Sequence, residues 1–249
     1  MLHGISLRSG MVDLAAAADA VRDLDADIVA VQEVDRDLER SGGEHQAAVL
    51  AGRLGWDWAF APAVLGDPGE RWTAAGADDP GGGAYGVGLL SRLPLSDVRR
   101  IALPGGASAG ARSPGATPQR PGWDHEPRVA VRAVVTVAGT ALGVTTTHLS
   151  YLPWRGLAQL RAAARAAAAG GGPAVLVGDL NLPVAPVRAA LPRRWTHAGG
   201  AATYPSWRPR VQLDHLLVTG GVAVRSVAVA GGTTSDHLPL VADLVLPAA

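Results

Sequence analysis

Glu33, His148, Asp179, Asn181, Asp214, Asp236 and His237 share one kind of placement in the chain. Glu33 follows IVAVQ, His148 follows GVTTT, Asp179 and Asn181 follow AVLVG, Asp214 lies within VQLDHLLV, and Asp236-His237 introduces LPLVADL. Each polar group therefore stands in or at the end of an apolar run. A surface carboxylate needs no such setting, whereas a buried one must be paired, hydrogen-bonded or bound to metal. The carboxylates of Glu33, Asp179, Asp214 and Asp236, brought together, would repel one another unless a cation balanced them. Oxygen-rich donors select hard ions, which makes Mg²⁺ the expected cofactor and Mn²⁺ or Ca²⁺ the alternatives. A hard cation beside histidines suits hydrolysis of a phosphate ester, with a histidine or aspartate managing the proton of the attacking water. Any one of these residues alone is more often a helix cap, a turn residue or a satisfied core group. Their number and repeated placement carry the reading.

The elements that must position them follow from periodicity. Asp13 precedes LAAAADAVRDL, a helix with an acidic cap, and DADIVAVQEV follows as a buried strand that ends in a Gln-Glu pair. EHQAAVLAGRLG reads as a second short helix, WDWAF as extended, and YGVGLLSRLPL as a strand and turn. RVAVRAVVTV and ALGVTTTHL flank Ala-Gly-Thr, a hairpin signal. Arg155 to Ala169 has strong helix propensity and is stopped by the glycines at 170–172. PAVLVGDLN is a short buried strand, and VQLDHLLV, GVAVRSVAVA and HLPLVADLVL are three more candidates. Residues from about 66 to 83 and from about 104 to 122 are rich in Gly, Pro and Ala and read as long loops. Strands outnumber helices and hairpins are common. This pattern predicts an α+β fold with antiparallel or mixed sheets packed face to face, not a doubly wound parallel sheet.

Composition narrows the classes. With 249 residues the chain is long enough for one substantial core, and a single domain over 1–249 is the expectation. A formal net charge of +0 supplies no global attraction to nucleic acid, so any grip on a phosphate backbone must be local. The absence of cysteine excludes disulfides, a thiolate nucleophile and a thiolate zinc site. No window holds 18 consecutive uncharged apolar residues, so a membrane-spanning helix is not expected.

The segments IVAVQEVD, YGVGLLSRLPL, EPRVAVRA, TTTHLS, LVGDLN, QLDHLLV and TSDHLPL, in this order and over nearly the whole chain, resemble the endonuclease/exonuclease/phosphatase superfamily of deoxyribonuclease I-like, metal-dependent phosphoesterases. The resemblance implies a four-layer α/β/β/α sandwich with the active site at one end. It implies that Glu33 is the principal metal ligand, with Asp236 and Asp179 also on the metal side. Asp179 matches the aspartate that positions or activates the attacking water, and Asn181 the asparagine that contacts phosphate or metal. His237 matches the catalytic histidine, Asp214 the aspartate that orients it, and His148 a phosphate-contacting histidine. Arg128, in EPR, is the further substrate-binding candidate, with Glu126 comparable. Tyr85, Trp154, Arg155, Trp207, Arg208 and Arg210 are weaker cleft candidates, and His215 is expected to face away from Asp214 as a structural residue.

The family pattern normally opens with a strand that ends in asparagine, in a segment similar to N-x-L-H-G. Here Leu2-His3-Gly4 matches the part after that asparagine. The first family strand is thus expected to be missing or truncated, and His3 ranks below the seven main residues. The opening MLHGISLRSG carries no signal peptide pattern, which points to the cytoplasm, whereas a start further upstream would leave room for secretion. The expected partner is a phosphoester substrate, small molecule or nucleic acid, acted on by a monomer. The THLS and DHLP context is most similar to bacterial members. The competing expectation is a catalytically inactive module on the same fold that holds a phosphorylated ligand or a partner.

Overall fold

The computed structural model describes residues 4–6, 9–112, 124–232 and 234–248; the expectations for His3 and for most of the second half of the 104–122 stretch lie outside them. Helix α1 (Leu14–Asp23) begins where Asp13 accepts a hydrogen bond from the Ala16 amide at 2.9 Å, and it buries Leu14, Ala17, Ala18 and Val21 on one face. Strand β1 (Ile28–Arg36), helix α2 (Gln46–Leu54), β2 (Asp57–Gly66), β3 (Trp72–Ala74) and β4 (Ala84–Ser91) follow. They build a four-stranded sheet in the order β1-β4-β2-β3. α1 and α2 cover one face of it through Ala17, Val21, Ala47, Leu50 and Leu90.

β1 does not stop at Gln32-Glu33 but continues to Arg36 across a bulge between Gln32 and Val34, with Glu33 at φ 56°. The 66–83 stretch is not all loop, because Trp72 is buried beside Val64 and Tyr85 and β3 pairs with β2.

The second sheet contains β5 (Ser96–Ala102), β6 (Val129–Val137), β7 (Thr140–His148), β8 (Ala174–Asp179), β9 (Thr196–His197) and β10 (Asp214–Thr219), in the order β5-β6-β7-β8-β10-β9. The β6–β7 hairpin turns on Ala138 and Gly139, both at positive φ (47° and 84°), the conformation that matches the twist of paired strands. Helix α3 (Pro153–Ala167) carries the chain from β7 to β8, and these two strands pair in parallel. The other pairings are antiparallel, so the fold is α+β with one mixed sheet. α3 and the short α4 (Val184–Ala190) pack on one face of this sheet through Leu160, Ala163, Val187, Leu176 and Leu217. Its other face meets the four-stranded sheet across a core of Ala59, Ala61, Val87 and Leu89 against Val129, Val131, Val144 and Val218. A hairpin of β11 (Ala223–Val229) and β12 (Leu240–Val245) pairs with itself and adds Leu240, Ala242 and Leu244 to that core. Among the described residues no helix is long and apolar enough to cross a membrane.

One glycine sets the end of β8. Gly178 adopts φ 145°, and a Cβ there would lie 2.1 Å from the Thr147 carbonyl oxygen of β7. Any side chain must push β8 away from β7 just before Asp179. Gly178→Ala is therefore expected to cost about 2–4 kcal/mol in urea unfolding; a loss within experimental error of zero would show that the two strands are not held this closely.

Candidate active site

Strand register gathers the first half of the site. His148 is the register partner of Asp179 across the β7–β8 pair, and Asp214 is the partner of Asp179 across β8–β10. Paired residues point to the same face and neighbouring strands lie about 4.8 Å apart, so these three side chains form one row at the end of the sheet. The turn after Asp179 is fixed by its own carboxylate, whose Oδ1 accepts the Asn181 amide at 2.8 Å. Asn181 sits at φ 50°, a conformation asparagine tolerates. Its Nδ2 donates to the Leu149 carbonyl at 2.9 Å, which fixes the plane of the amide beside Asp179.

His237 arrives from the loop before β12. Its Nδ1 lies 2.7 Å from Asp214 Oδ2, and its Nε2 lies 3.8 Å from Asp179 Oδ2. The His148 Nε2 lies 3.5 Å from the same Asp179 oxygen. Two imidazoles thus converge on one carboxylate oxygen. Asp179, Asp214 and His237 each offer a donor atom within 4.8 Å of the others, the one such grouping of three among the described residues. Glu33 and Asp236 stand outside that tight trio. Glu33 nonetheless acts on Asp179 and His148 electrostatically, from the bulge of the opposite sheet, and Asp236 acts on His237. The two sheets are tied nearby by Gln32 Nε2 donating to Thr146 Oγ1 at 3.0 Å.

The charges are strongly unequal. Burial, and then the nearby Asp214 carboxylate, push Asp179 up to about 7. Burial would raise Asp214 as well, but its hydrogen bond and ion pair with His237 win and leave it below the usual range. Burial opposes protonation of His237, yet the Asp214 hydrogen bond and the surrounding carboxylates raise it to about 9. His148 goes the other way, to about 3, through burial and then the positive Arg128. The result is one charged and one neutral imidazole beside a carboxylate crowded by negative charge. A buried, oxygen-rich set of this kind fits a hard cation, which would relieve the Asp179–Asp214 repulsion.

Other expected residues fall in different places. Arg128 is buried behind His148, with Nη1 3.2 Å from Glu126 Oε1 and Nη2 3.5 Å from Asp124 Oδ2. A cavity of about 10 Å³ lies between Tyr85, Glu126, Arg128 and His148, room for about one water. Arg155 does not border a groove: it is buried, 3.5 Å from Asp124 Oδ1 and bonded to the Glu126 carbonyl at 2.5 Å. Trp154 and Trp207 are exposed at 67% and 71%, and Arg208 and Arg210 are exposed beside Trp207. His215 is fully buried and faces away from Asp214, as alternation requires.

Three positioning groups had no sequence signal. Thr203 is buried, with Oγ1 3.3 Å from the Asp214 amide, and its hydroxyl supports the Asp214 carboxylate. Its carbonyl takes the Leu238 amide at 2.8 Å, so it ties Asp214 to the His237 loop. The Tyr204 ring lies over His237 at 4.8 Å between centroids. Asp124, inside a Gly/Pro-rich stretch, accepts from Ser150 Oγ at 2.6 Å just beyond His148.

The chain matches the Endonuclease/Exonuclease/phosphatase family over residues 5–237 and belongs to it. Among solved structures it is similar to an endonuclease/exonuclease/phosphatase from Beutenbergia cavernae, at 24% identity and TM-score 0.73, covering 98% of this chain and 69% of that one. It is also similar to a mannosyl-6-phosphatase from Bacteroides thetaiotaomicron, at 16% identity and TM-score 0.67, over 94% and 90% of the two chains. A humanized TDP2 of D. rerio shows 16% identity and TM-score 0.65, over 93% and 90%. These likenesses establish a shared fold. No curated protein matches the sequence.

In the metal-free protein His237 holds its proton more tightly folded, at about 9, than at its ordinary 6.5. Its contribution to stability is complete below about pH 6.5 and lost as pH rises through about 9. Urea unfolding between pH 6 and 10 should show the wild type losing about 3 kcal/mol more than His237→Asn. Parallel curves for the two proteins would show that the Asp214–His237 ion pair does not stabilise the fold.

Proposed function

We propose that this protein is a divalent-metal-dependent hydrolase of phosphoester bonds. The observation that carries the reading is the convergence of the His148 and His237 Nε2 atoms on Asp179 Oδ2, at 3.5 and 3.8 Å, with His237 held by Asp214 at 2.7 Å. A phosphoryl group seated between the two imidazoles places its oxygens beside two Nε2 positions and its phosphorus near the Asp179 carboxylate. Asp179, whose Oδ2 faces both imidazoles, is placed to orient a water and accept its proton. His237, charged and fixed by Asp214, stabilises negative charge on the phosphoryl oxygens or gives a proton to the leaving group. His148, kept neutral, donates a hydrogen bond without adding charge. Asn181 stands at the same edge, tied to Asp179 and to Leu149. Glu33, Asp179 and Asp236 are the residues that would hold Mg²⁺, or Mn²⁺ in its place, and the bound cation would neutralise developing phosphoryl charge. Arg128 supports substrate through its field behind His148 more than through open contact.

The same reading takes the two facing sheets with their outer helices as the α/β/β/α sandwich of a single domain. It also accounts for an unfilled edge. Among the described residues β1 pairs only with β4, and the β11–β12 hairpin pairs only with itself, while Ile28, Ala30, Leu240 and Ala242 border one core with partly exposed side chains. This supports a further strand between β1 and β12, the one the family pattern ends in asparagine.

The substrate class is set by assay. The panel comprises bis-p-nitrophenyl phosphate, p-nitrophenyl phosphate, mannose 6-phosphate, inositol phosphates, sphingomyelin, RNA, and single- and double-stranded DNA, each with Mg²⁺, Mn²⁺ or EDTA. The sugar phosphate is included because one protein of this fold is named for that activity. The expected result is hydrolysis of at least one phosphoester that EDTA abolishes and that Asp179→Asn and His237→Ala each lower by at least about 10²-fold. Activity that survives both EDTA and His237→Ala would overturn the mechanism, and silence across the panel would favour a binding module.

A further inference from the structure

A second pair of imidazoles lies on the opposite face of the sheet from the catalytic row. His197 ends β9, and His215 follows Asp214 in β10, fully buried among Leu176, Leu182 and Leu217 on the helix-covered side. His197 Nε2 lies 2.8 Å from His215 Nδ1, and His215 Nε2 lies 2.8 Å from the Leu182 carbonyl oxygen. At the outer end, the Gly199 amide is 3.0 Å from His197 Nδ1.

Only one proton arrangement satisfies these contacts. A peptide N–H can only donate, so His197 Nδ1 is bare and its hydrogen is on Nε2, directed at His215. A carbonyl can only accept, so His215 Nε2 carries its hydrogen and Nδ1 is free to receive. The two ends impose the same direction, and a hydrogen on both nitrogens of either ring would set two donors against each other. Both imidazoles are therefore neutral, and all four ring nitrogens are bonded. Burial, then His215 and Arg188, hold His197 at about 4, in keeping with that state.

The chain of bonds ends on the catalytic turn. Residues 179–182 are fixed at their start by the Asp179 carbonyl accepting the Leu149 amide at 2.9 Å, and by the Leu180 amide donating to the Leu213 carbonyl at 2.9 Å. Asn181, in the middle, is at positive φ. The far end, at Leu182, is held by His215. An apolar residue in β10 would fill the same space in this leucine-rich cluster but would leave the buried Leu182 carbonyl and the half-buried His197 N–H without these partners.

We propose that His197 and His215 are positioning residues for hydrolysis: a neutral imidazole relay that anchors the exit of the Asp179–Leu182 turn and so holds the Asp179 carboxylate between His148 and His237. The catalytic consequence rests on the hydrolytic reading above; the anchoring does not.

The test uses the full chain, with bis-p-nitrophenyl phosphate and Mn²⁺ as probes, and compares wild type, His215→Phe, His215→Gln and His197→Phe. His215→Phe keeps a planar ring and removes both bonds, whereas His215→Gln keeps a donor and an acceptor. The expected result is a kcat lowered about 10- to 100-fold in His215→Phe and His197→Phe with KM changed less than about threefold, and most of the loss recovered in His215→Gln. Long-range ¹H–¹⁵N spectra at pH 7 should show both wild-type rings neutral with hydrogen on Nε2. A folded His215→Phe or His197→Phe with wild-type kcat, or a charged or Nδ1–H ring at either position, would overturn the proposal. If His215→Phe does not fold, His197→Phe decides. If the wild type hydrolyses nothing, the functional reading has failed, and the Asp179 ¹³Cγ resonance decides the anchoring: a shift between wild type and His197→Phe supports it, and coincidence refutes it.

Discussion

The alignment of His148, Asp179 and Asp214 across three neighbouring strands is the constraint on which the rest of the structure depends. It requires β7 and β8 to run parallel, so that both end at the same edge, and β10 to run antiparallel beside β8, so that its first residue meets the last residue of β8. The α3 crossover and the close β7–β8 contact at Gly178 serve that alignment. A slip of one residue in either pairing would turn one member of the row to the helix-covered face. Everything else in the site is attached to this row: His237 by its bond to Asp214, Asn181 by its bond to Asp179, and Arg128 by its position behind His148.

The row also creates an electrostatic problem. Asp179, buried, and Asp214, half-buried, face each other, and the surroundings separate their behaviour instead of pairing them equally. Asp214 is bonded to His237 at 2.7 Å and stays ionised, while Asp179, with its imidazoles further off at 3.5 and 3.8 Å, is driven toward neutrality by burial and by Asp214. Divergent pKa values in adjacent carboxyl groups are a recurring mark of acid and base roles. Neutral His148 and charged His237 on either side of one oxygen repeat the asymmetry with imidazoles.

Much of this was legible in the sequence because apolar runs that end in polar residues are local signals. The β6–β7 hairpin, the α3 helix, the β8 strand and the row residues at strand ends all followed from short-range pattern. The bulge at Glu33 was not legible, since it arises from how β1 fits β4 and shows no local breaker beyond a Gln-Glu pair. β5, β9 and α4 were missed because SDVRRIA is polar and the other two are too short for periodicity to register. Arg155 was misplaced because its burial depends on Asp124, which is distant in sequence and embedded in loop-like composition. Thr203 and Tyr204 act only through three-dimensional neighbours, and nothing in AATYPS distinguishes them.

On the proposed function, Asp179 sits in a negatively crowded pocket that a cation would balance. Calorimetric titration of Mn²⁺ into the metal-free protein at pH 7, repeated in buffers of different ionisation enthalpy, addresses it most directly. The expected result is saturable binding with net proton release, because a cation disfavours the proton that the crowded Asp179 carboxyl otherwise holds, and loss of both signals in Asp179→Asn. Binding of equal strength in Asp179→Asn, or binding with no proton release in any buffer, would contradict it.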